Sequence, residues 1–323
     1  LAKFLIIRFS SIGDIVLSTP VMRCLKQQLP NVEIHYLTKP AFKPILEHNP
    51  YIDTLHLLDK SILKKALELK QLGFDYIIDL HNNLRTQLFK TVIGVPTHNF
   101  DKLNIEKSIL VNLNINNLPD VHIVDRYLDT LNNFGVVNDG LGLDYFFHSD
   151  FIFNPTIQLP KNFIAFVIGA QHATKRLPNE KIISICQQIK QPIVLLGGTE
   201  DAANGALIAT QSGSHVINLC GKLSLHESAS VISLSDTVIT HDTGLMHIAA
   251  AFKKPIVSVW GNTVPEFGMT PYYGNFKIRN SKFEIQNLSC RPCSKIGFKT
   301  CPKKHFNCMM LQDNEAIAIA ASH

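Results

Sequence analysis

Thr237-Val238-Ile239-Thr240-His241-Asp242-Thr243-Gly244-Leu245-Met246-His247-Ile248-Ala249-Ala250-Ala251 joins a β-branched run to a helix-forming run through an acidic, glycine-containing turn. A strand that feeds a helix in this way is one half of a β/α repeat. At such a helix start the first backbone N–H groups have no intrahelical partner and the macrodipole adds about half a positive charge, so Thr243, Gly244 and Leu245 form a phosphate-binding pattern. Asp242 beside them would repel a bare diphosphate. It fits better as an acceptor for hydroxyls on something attached to the phosphate, such as a sugar. Helix capping by Asp242 or Thr243 is the plainer alternative.

Working outward, the same alternation recurs. Phe4–Ile7, Val32–Leu37, Thr54–Leu58 and Tyr76–Leu80 read as strands, with helices over Ile15–Leu29 and Lys60–Leu72. After a Gly-, Asp-, Asn- and Pro-rich passage between Asn138 and Pro160, a second series begins. Its strands are Phe163–Ile168, Ile193–Leu196, Val216–Leu219, Val238–Thr240 and Ile256–Trp260. Its helices are Asn179–Ile189, Ala202–Gln211, Leu225–Leu234 and Leu245–Phe252. This is an α/β chain of two doubly wound parallel-sheet domains, expected at 1–155 and 156–323. The 323 residues, 46% of them hydrophobic, suffice for two cores.

The formal charge of +5 and a pI near 8.7 suit an anionic ligand or membrane surface. Without Lys/Arg blocks interleaved with aromatics they do not suggest nucleic acid. The apolar runs are shorter than the ~20 residues that span a bilayer and no signal peptide is apparent, so a cytoplasmic location is expected. Leu1 reads as following a missing initiator Met. No amphipathic anchor stands out in the sequence.

Ligands of doubly wound sheets bind at the carboxyl ends of strands, which directs attention to four loops. Lys175 lies on the loop leaving the first strand of the second half, within reach of the Thr243 helix start, where it could hold a diphosphate as a point charge. Glu200, in Gly197-Gly198-Thr199-Glu200-Asp201, stands at a strand tip suited to a ribose; it could equally cap the next helix. Asp14, in Ser10-Ser11-Ile12-Gly13-Asp14, is a carboxylate at a strand-to-helix turn, either an N-cap residue or a general base. No Gly-x-Gly-x-x-Gly follows the first strand, which argues against a nicotinamide-dependent oxidoreductase.

Arg8-Phe9-Ser10-Ser11-Ile12-Gly13-Asp14-Ile15-Val16-Leu17-Ser18-Thr19-Pro20, taken with His241-Asp242-Thr243-Gly244-Leu245-Met246-His247, resembles the ADP-heptose lipopolysaccharide heptosyltransferases of glycosyltransferase family nine, in order over nearly the whole chain. The resemblance implies a B-type glycosyltransferase fold, two Rossmann-like domains facing a cleft, with acceptor on the N-terminal domain and nucleotide sugar on the C-terminal one. It implies an inverting transfer of heptose from ADP-heptose to the lipopolysaccharide inner core, with no cofactor, no metal, and ADP stabilised by Lys175 and the helix dipole. By the same resemblance Asp14 and Lys175 are catalytic, and Glu200, Asp242, Thr243, Gly244, Leu245 and His247 bind the donor. Ser10, Ser11, Gly13, Arg85 and Arg126 face the acceptor, and the enzyme visits the inner face of the cytoplasmic membrane. A different nucleotide sugar or acceptor, or an idle sugar-nucleotide or glycolipid binder, are the alternatives.

Cys290-x-x-Cys293 followed by Cys301 and Cys308, with His305 between them, has spacing compatible with structural zinc. Reduced thiols are the expectation in a reducing compartment. Cys24, Cys186 and Cys220 read as small core residues.

Overall fold

A computed structural model describes residues 1–58, 60–151 and 158–322. In chain order its elements are β1 (Ala2–Ile7), α1 (Ile12–Leu17), α2 (Thr19–Gln28), β2 (Val32–Thr38), α3 (Lys43–Leu46), β3 (Thr54–Leu57), α4 (Ile62–Lys70), β4 (Tyr76–Asp79), α5 (Leu84–Ile93), β5 (Thr97–Asn99), α6 (Asn104–Leu113) and α7 (Ile123–Leu128). The second series is β6 (Ile164–Val167), α8 (Asn179–Gln188), β7 (Ile193–Leu196), α9 (Ala202–Ser212), β8 (Val216–Asn218), α10 (Leu225–Leu234), β9 (Thr237–His241), α11 (Gly244–Ala251), β10 (Ile256–Trp260), β11 (Asn280–Glu284), α12 (Asn307–Met310) and α13 (Asn314–Ser322).

The first sheet has strand order β3-β2-β1-β4-β5 and the second β11-β10-β9-β6-β7-β8, with every pairing parallel. Parallel strands covered by helices on both faces must be apolar on both sides. Phe4–Ile7 and Ile193–Leu196 are accordingly buried without alternation. Leu5, Ile7, Leu37, Ile77 and Phe89 form one core, and Ile164, Phe166, Ile193, Leu195 and Ile239 belong to the other. The order reverses between β1 and β4 in the first sheet and between β9 and β6 in the second, so each sheet opens a crevice at the carboxyl ends of those strands.

The helix expected over Ile15–Leu29 is instead two helices. Ser18 separates them, its hydroxyl donating to the Ile15 carbonyl at 2.7 Å, and Pro20, which has no N–H, sits in the first turn of α2, where none is needed. β5 and β11 were not expected. Thr97–Asn99 and Asn280–Glu284 are short or polar edge strands without an apolar run.

The chain divides into two compact units. The first comprises Leu1–Lys102, Val121–Ser149 and Tyr272–Phe276, and the second Leu103–Asp120, Asp150–Pro271 and Lys277–His323. The boundary expected at 155/156 falls within 152–157, outside the described residues. Neither unit is continuous in sequence. Leu110 and Val111 of α6, with Leu118, pack on Val264 and Phe267 in the second unit. The Tyr272 hydroxyl donates to Asp125 Oδ1 at 2.8 Å in the first. Among the described residues, no helix is long and apolar enough to cross a membrane.

Candidate active site

In the second unit, the loops leaving β6 and β9 meet at the sheet's reversal point. Lys175 Nζ lies 2.6 Å from Asp242 Oδ2, and the Thr263 hydroxyl donates to the same oxygen at 2.9 Å. Burial works against ionisation of Asp242; Lys175, then the Thr263 hydroxyl, outweigh it and hold the carboxyl below its ordinary range. Both bonds use Oδ2, leaving Oδ1 outside them. An ammonium has three donors, so the pair leaves Lys175 hydrogen-bonding capacity for a further anion.

α11 begins beside this pair. Thr243 is its N-cap, yet no side chain caps the helix there. Met246–Ala250 are buried and Thr243–Leu245 are half-buried, so the helix start is the accessible part of this element. His247 lies buried one turn in and favours the charged form of Asp242. Glu200 is exposed at the carboxyl end of β7, while its neighbour Asp201 does the structural work: it is buried, accepts from the Gly198 N–H at 3.0 Å and pairs with Arg176 at 3.0 Å. Burial raises the Asp201 carboxyl's pKa despite Arg176.

In the first unit, the loops leaving β1 and β4 flank the other reversal point. Asp14 lies in the first turn of α1, where Ser11 N–H and Oγ donate to its Oδ2 at 3.1 and 2.8 Å. The N-cap residue is Ser11, not Asp14; Asp14 reaches back to it from the third helical position and closes a capping box. Its other oxygen pairs with Arg8 at 2.7 Å. Burial pushes the carboxyl up, but Arg8 and the Ser11 donors prevail and hold it below the ordinary carboxylate value. Arg8 also donates to the carbonyls of Ser10 and Leu80, tying the two loops together. Its guanidinium lies over the rings of Tyr127 and Phe100, 5.7 and 5.9 Å from their centroids. Ser10 and Ser11 form the approach to the helix, and Gly13 is buried within its first turn.

Arg85 is exposed at the start of α5, and with Lys39, Lys60 and the apolar Pro40, Ala41, Leu58 and Ile62 it lines a cavity of about 650 Å³. Arg126 is placed differently. It is buried, it donates to the Asp101 carbonyl at 3.2 Å, and burial lowers its pKa.

Residues 62–300 match the model of glycosyltransferase family 9 (heptosyltransferase). The chain belongs to glycosyltransferase family 9. It is a glycosyltransferase of the B-type fold. The lipopolysaccharide heptosyltransferase 1 of Campylobacter coli is 26% identical over 310 residues, covering 87% of this chain and 88% of that protein. The family 9 glycosyltransferase of Veillonella parvula superimposes with a TM-score of 0.71 at 23% identity, covering 87% and 85% of the two chains. The Escherichia coli heptosyltransferase WaaC with ADP gives 0.68 at 19% identity over 87% and 93%.

Four side chains that order these loops carry roles that the sequence does not assign to them. Arg8 was visible only as part of a motif. Thr263 follows β10, which gives its position but not its partner. Arg176 and Arg291 are fold-supporting cations. The Arg291 guanidinium is buried, donating to the carbonyls of Gly261 and Thr263 at 2.7 and 3.0 Å and pairing with Glu284 at 2.8 Å. A β-carbon at Gly261 would lie 2.6 Å from the Thr174 carbonyl oxygen, so glycine brings the β10 loop close to the Lys175 loop.

His241 Nε2 accepts the Leu177 N–H at 3.0 Å, which requires a neutral ring. Burial, then Arg176, lowers its pKa to about 3. An unfolded histidine titrates near 6.5. The stabilisation is therefore complete above about pH 6.5 and is lost as pH falls toward the folded value, with about 2 kcal/mol gone at pH 5. His56 and His81, whose pKa values burial also lowers to about 4, weaken wild type and His241→Gln alike between pH 7 and 5, so urea unfolding should show a loss about 2 kcal/mol larger in the wild type. Equal pH dependence would refute the assignment.

Cys290, Cys293, Cys301 and Cys308 form no disulfide here, and each of the other three acts electrostatically on Cys308. Among the described residues, no three of these sulfurs lie within 4.8 Å of one another.

Proposed function

We propose that the enzyme is an inverting transferase moving a heptose from ADP-heptose to the inner core of lipopolysaccharide. The observation that carries this reading is the Lys175–Asp242 pair at the uncapped start of α11: cation and helix start for a diphosphate, carboxylate for a sugar. Family membership supports the sugar class, and the ADP held by the WaaC structure supports the nucleotide.

In this scheme Thr243, Gly244 and Leu245 present N–H groups to phosphate, with Lys175 between the diphosphate and Asp242. Asp242 Oδ1 accepts from the heptose, His247 supports Asp242 from behind, and Glu200 accepts from the ribose. An acceptor hydroxyl attacks the anomeric carbon as the bond to the diphosphate oxygen breaks. Its proton passes to Asp14, and ADP departs with its new charge balanced by Lys175 and the helix start. A carboxylate with a depressed pKa is a weak base and takes the proton late in that concerted step. Ser10, Ser11 and Gly13 shape the Asp14 turn that receives the hydroxyl. Arg85, with Lys39 and Lys60, meets an acceptor carboxylate or phosphate, while buried Arg126 supports the Asp101 segment. The assignment of acceptor to 1–155 and donor to 156–323 belongs to the same proposal, which calls on no cofactor.

A thermal-shift panel of ADP, UDP and NAD is the first test. ADP at 100 times its Kd should stabilise the chain by about 2.7 kcal/mol. A shift with UDP or NAD and none with ADP would eliminate the donor assignment. Incubation with ADP-heptose and a heptose-free core acceptor should then yield, by mass spectrometry, the acceptor plus one heptose.

A further inference from the structure

α4 and α5 connect β3 to β4 and β4 to β5, both moving the same way across the first sheet. Right-handed crossovers therefore place both helices on one face with parallel axes, and the two pack against each other. α4 turns Ala66 and Leu69 to the core, and α5 turns Thr86, Phe89 and Ile93. At about 100° per residue, Leu63 and Leu67 fall on the flank of α4 next to α5. Leu84 and Leu88 fall on the outer face of α5, inclined toward α4. All four are open to solvent, at 52%, 49%, 92% and 36% exposure respectively.

One exposed leucine is ordinary, but four converging on adjacent helices form an apolar patch. Exposed Lys60, Lys64, Lys70 and Arg85 surround it. Glu68 is the only carboxylate on the two helices, and Lys65 neutralises it at 2.8 Å. The cationic cavity of Lys39, Lys60 and Arg85 opens where both helices begin. No single stretch of sequence shows this pattern, because the fold assembles it from two helices.

We propose that the α4/α5 face docks on an anionic lipid surface, its leucines entering the interface and its cations meeting lipid phosphates. Charge complementarity selects this occupant: the fringe is positive, and among the described residues the two helices present no unneutralised acid. Such a face combines the two attractions of a peripheral membrane site. The purpose of docking rests on the proposed lipid-linked acceptor, whose anionic groups would reach the Lys39/Lys60/Arg85 cavity from the same side.

The test uses the full chain, without donor or acceptor, sedimented with vesicles of phosphatidylcholine alone or mixed equally with phosphatidylglycerol. Wild type should bind the mixed vesicles, and the variant Leu63→Ser/Leu67→Ser/Leu84→Ser/Leu88→Ser should bind at least tenfold less. The variant should keep its circular dichroism and its transfer to a soluble, delipidated acceptor. Lys64→Glu alone should weaken vesicle binding and reduce its salt dependence. Wild-type binding that ignores phosphatidylglycerol, or a quadruple variant that binds normally, would overturn the inference. So would a wild-type dimer that the quadruple variant abolishes, which would make the face a subunit interface. Failure of wild type to act on the soluble acceptor tells instead against the proposed function, and the vesicle result then decides this inference alone.

Discussion

Asp14→Asn is expected to lower kcat for heptose transfer by about 10²–10⁴-fold, the range for loss of a positioned general base. Donor affinity should hold, because an interaction made only in the transition state leaves ground-state binding unchanged. An amide oxygen still accepts from Ser11, so the capping role of the side chain survives. The partner charge does not: Arg8 is buried and pairs with Asp14 at 2.7 Å. Removing one member of a buried pair costs about 3–5 kcal/mol, so the kinetics belong at a temperature where circular dichroism shows the variant folded. Titration calorimetry with ADP supplies the control. Transfer within tenfold of wild type would remove Asp14 from the chemistry, and loss of ADP binding along with transfer would make it a structural residue.

Lys175→Ala should lower kcat/KM by about 10²–10³-fold, the scale of one electrostatic contact to charge developing in a transition state. It should also change how stability responds to acid. In wild type Lys175 is the largest of the contacts that together outweigh the burial opposing ionisation of Asp242. Without the lysine, burial prevails and the carboxyl's pKa rises, so the variant should be less stable than wild type at pH 7 and recover part of that loss as the pH falls. Lys175→Ala/Asp242→Asn should restore stability at pH 7 without restoring transfer. Calorimetric melts at several pH values, paired with initial rates, separate the two roles. Recovery of transfer in the double variant would show that the lysine serves only to neutralise Asp242.

Much of this architecture is legible in the chain. β-branched runs ending in Gly, Ser, Asp or Asn turns locate most of the strands, and the carboxyl-end rule then singles out the loops of Asp14, Lys175, Glu200 and Asp242. What escapes has a common physical cause. Arg8, Arg176, Arg291 and Thr263 act through partners distant in sequence, and a buried arginine looks like any surface arginine until the fold supplies the carbonyls it meets. Edge strands β5 and β11 have too little apolar surface to announce themselves. The capping role of Asp14 was readable as an alternative to its proposed role as a base, and the Ser11 distances establish the capping.

The interleaving of the two units limits how the molecule can be dissected. The backbone passes between them at 102/103, 120/121, 149/150, 271/272 and 276/277. Cutting at one linker would leave the C-terminal fragment without α6 and uncover Val264 and Phe267, and would strip the N-terminal fragment of Tyr272, which donates to Asp125. Independent expression of either half would thus start with a missing piece of its own core or hydrogen bonding. Recombination between relatives is constrained in the same way, since a single crossover would bring together segments selected beside different partners.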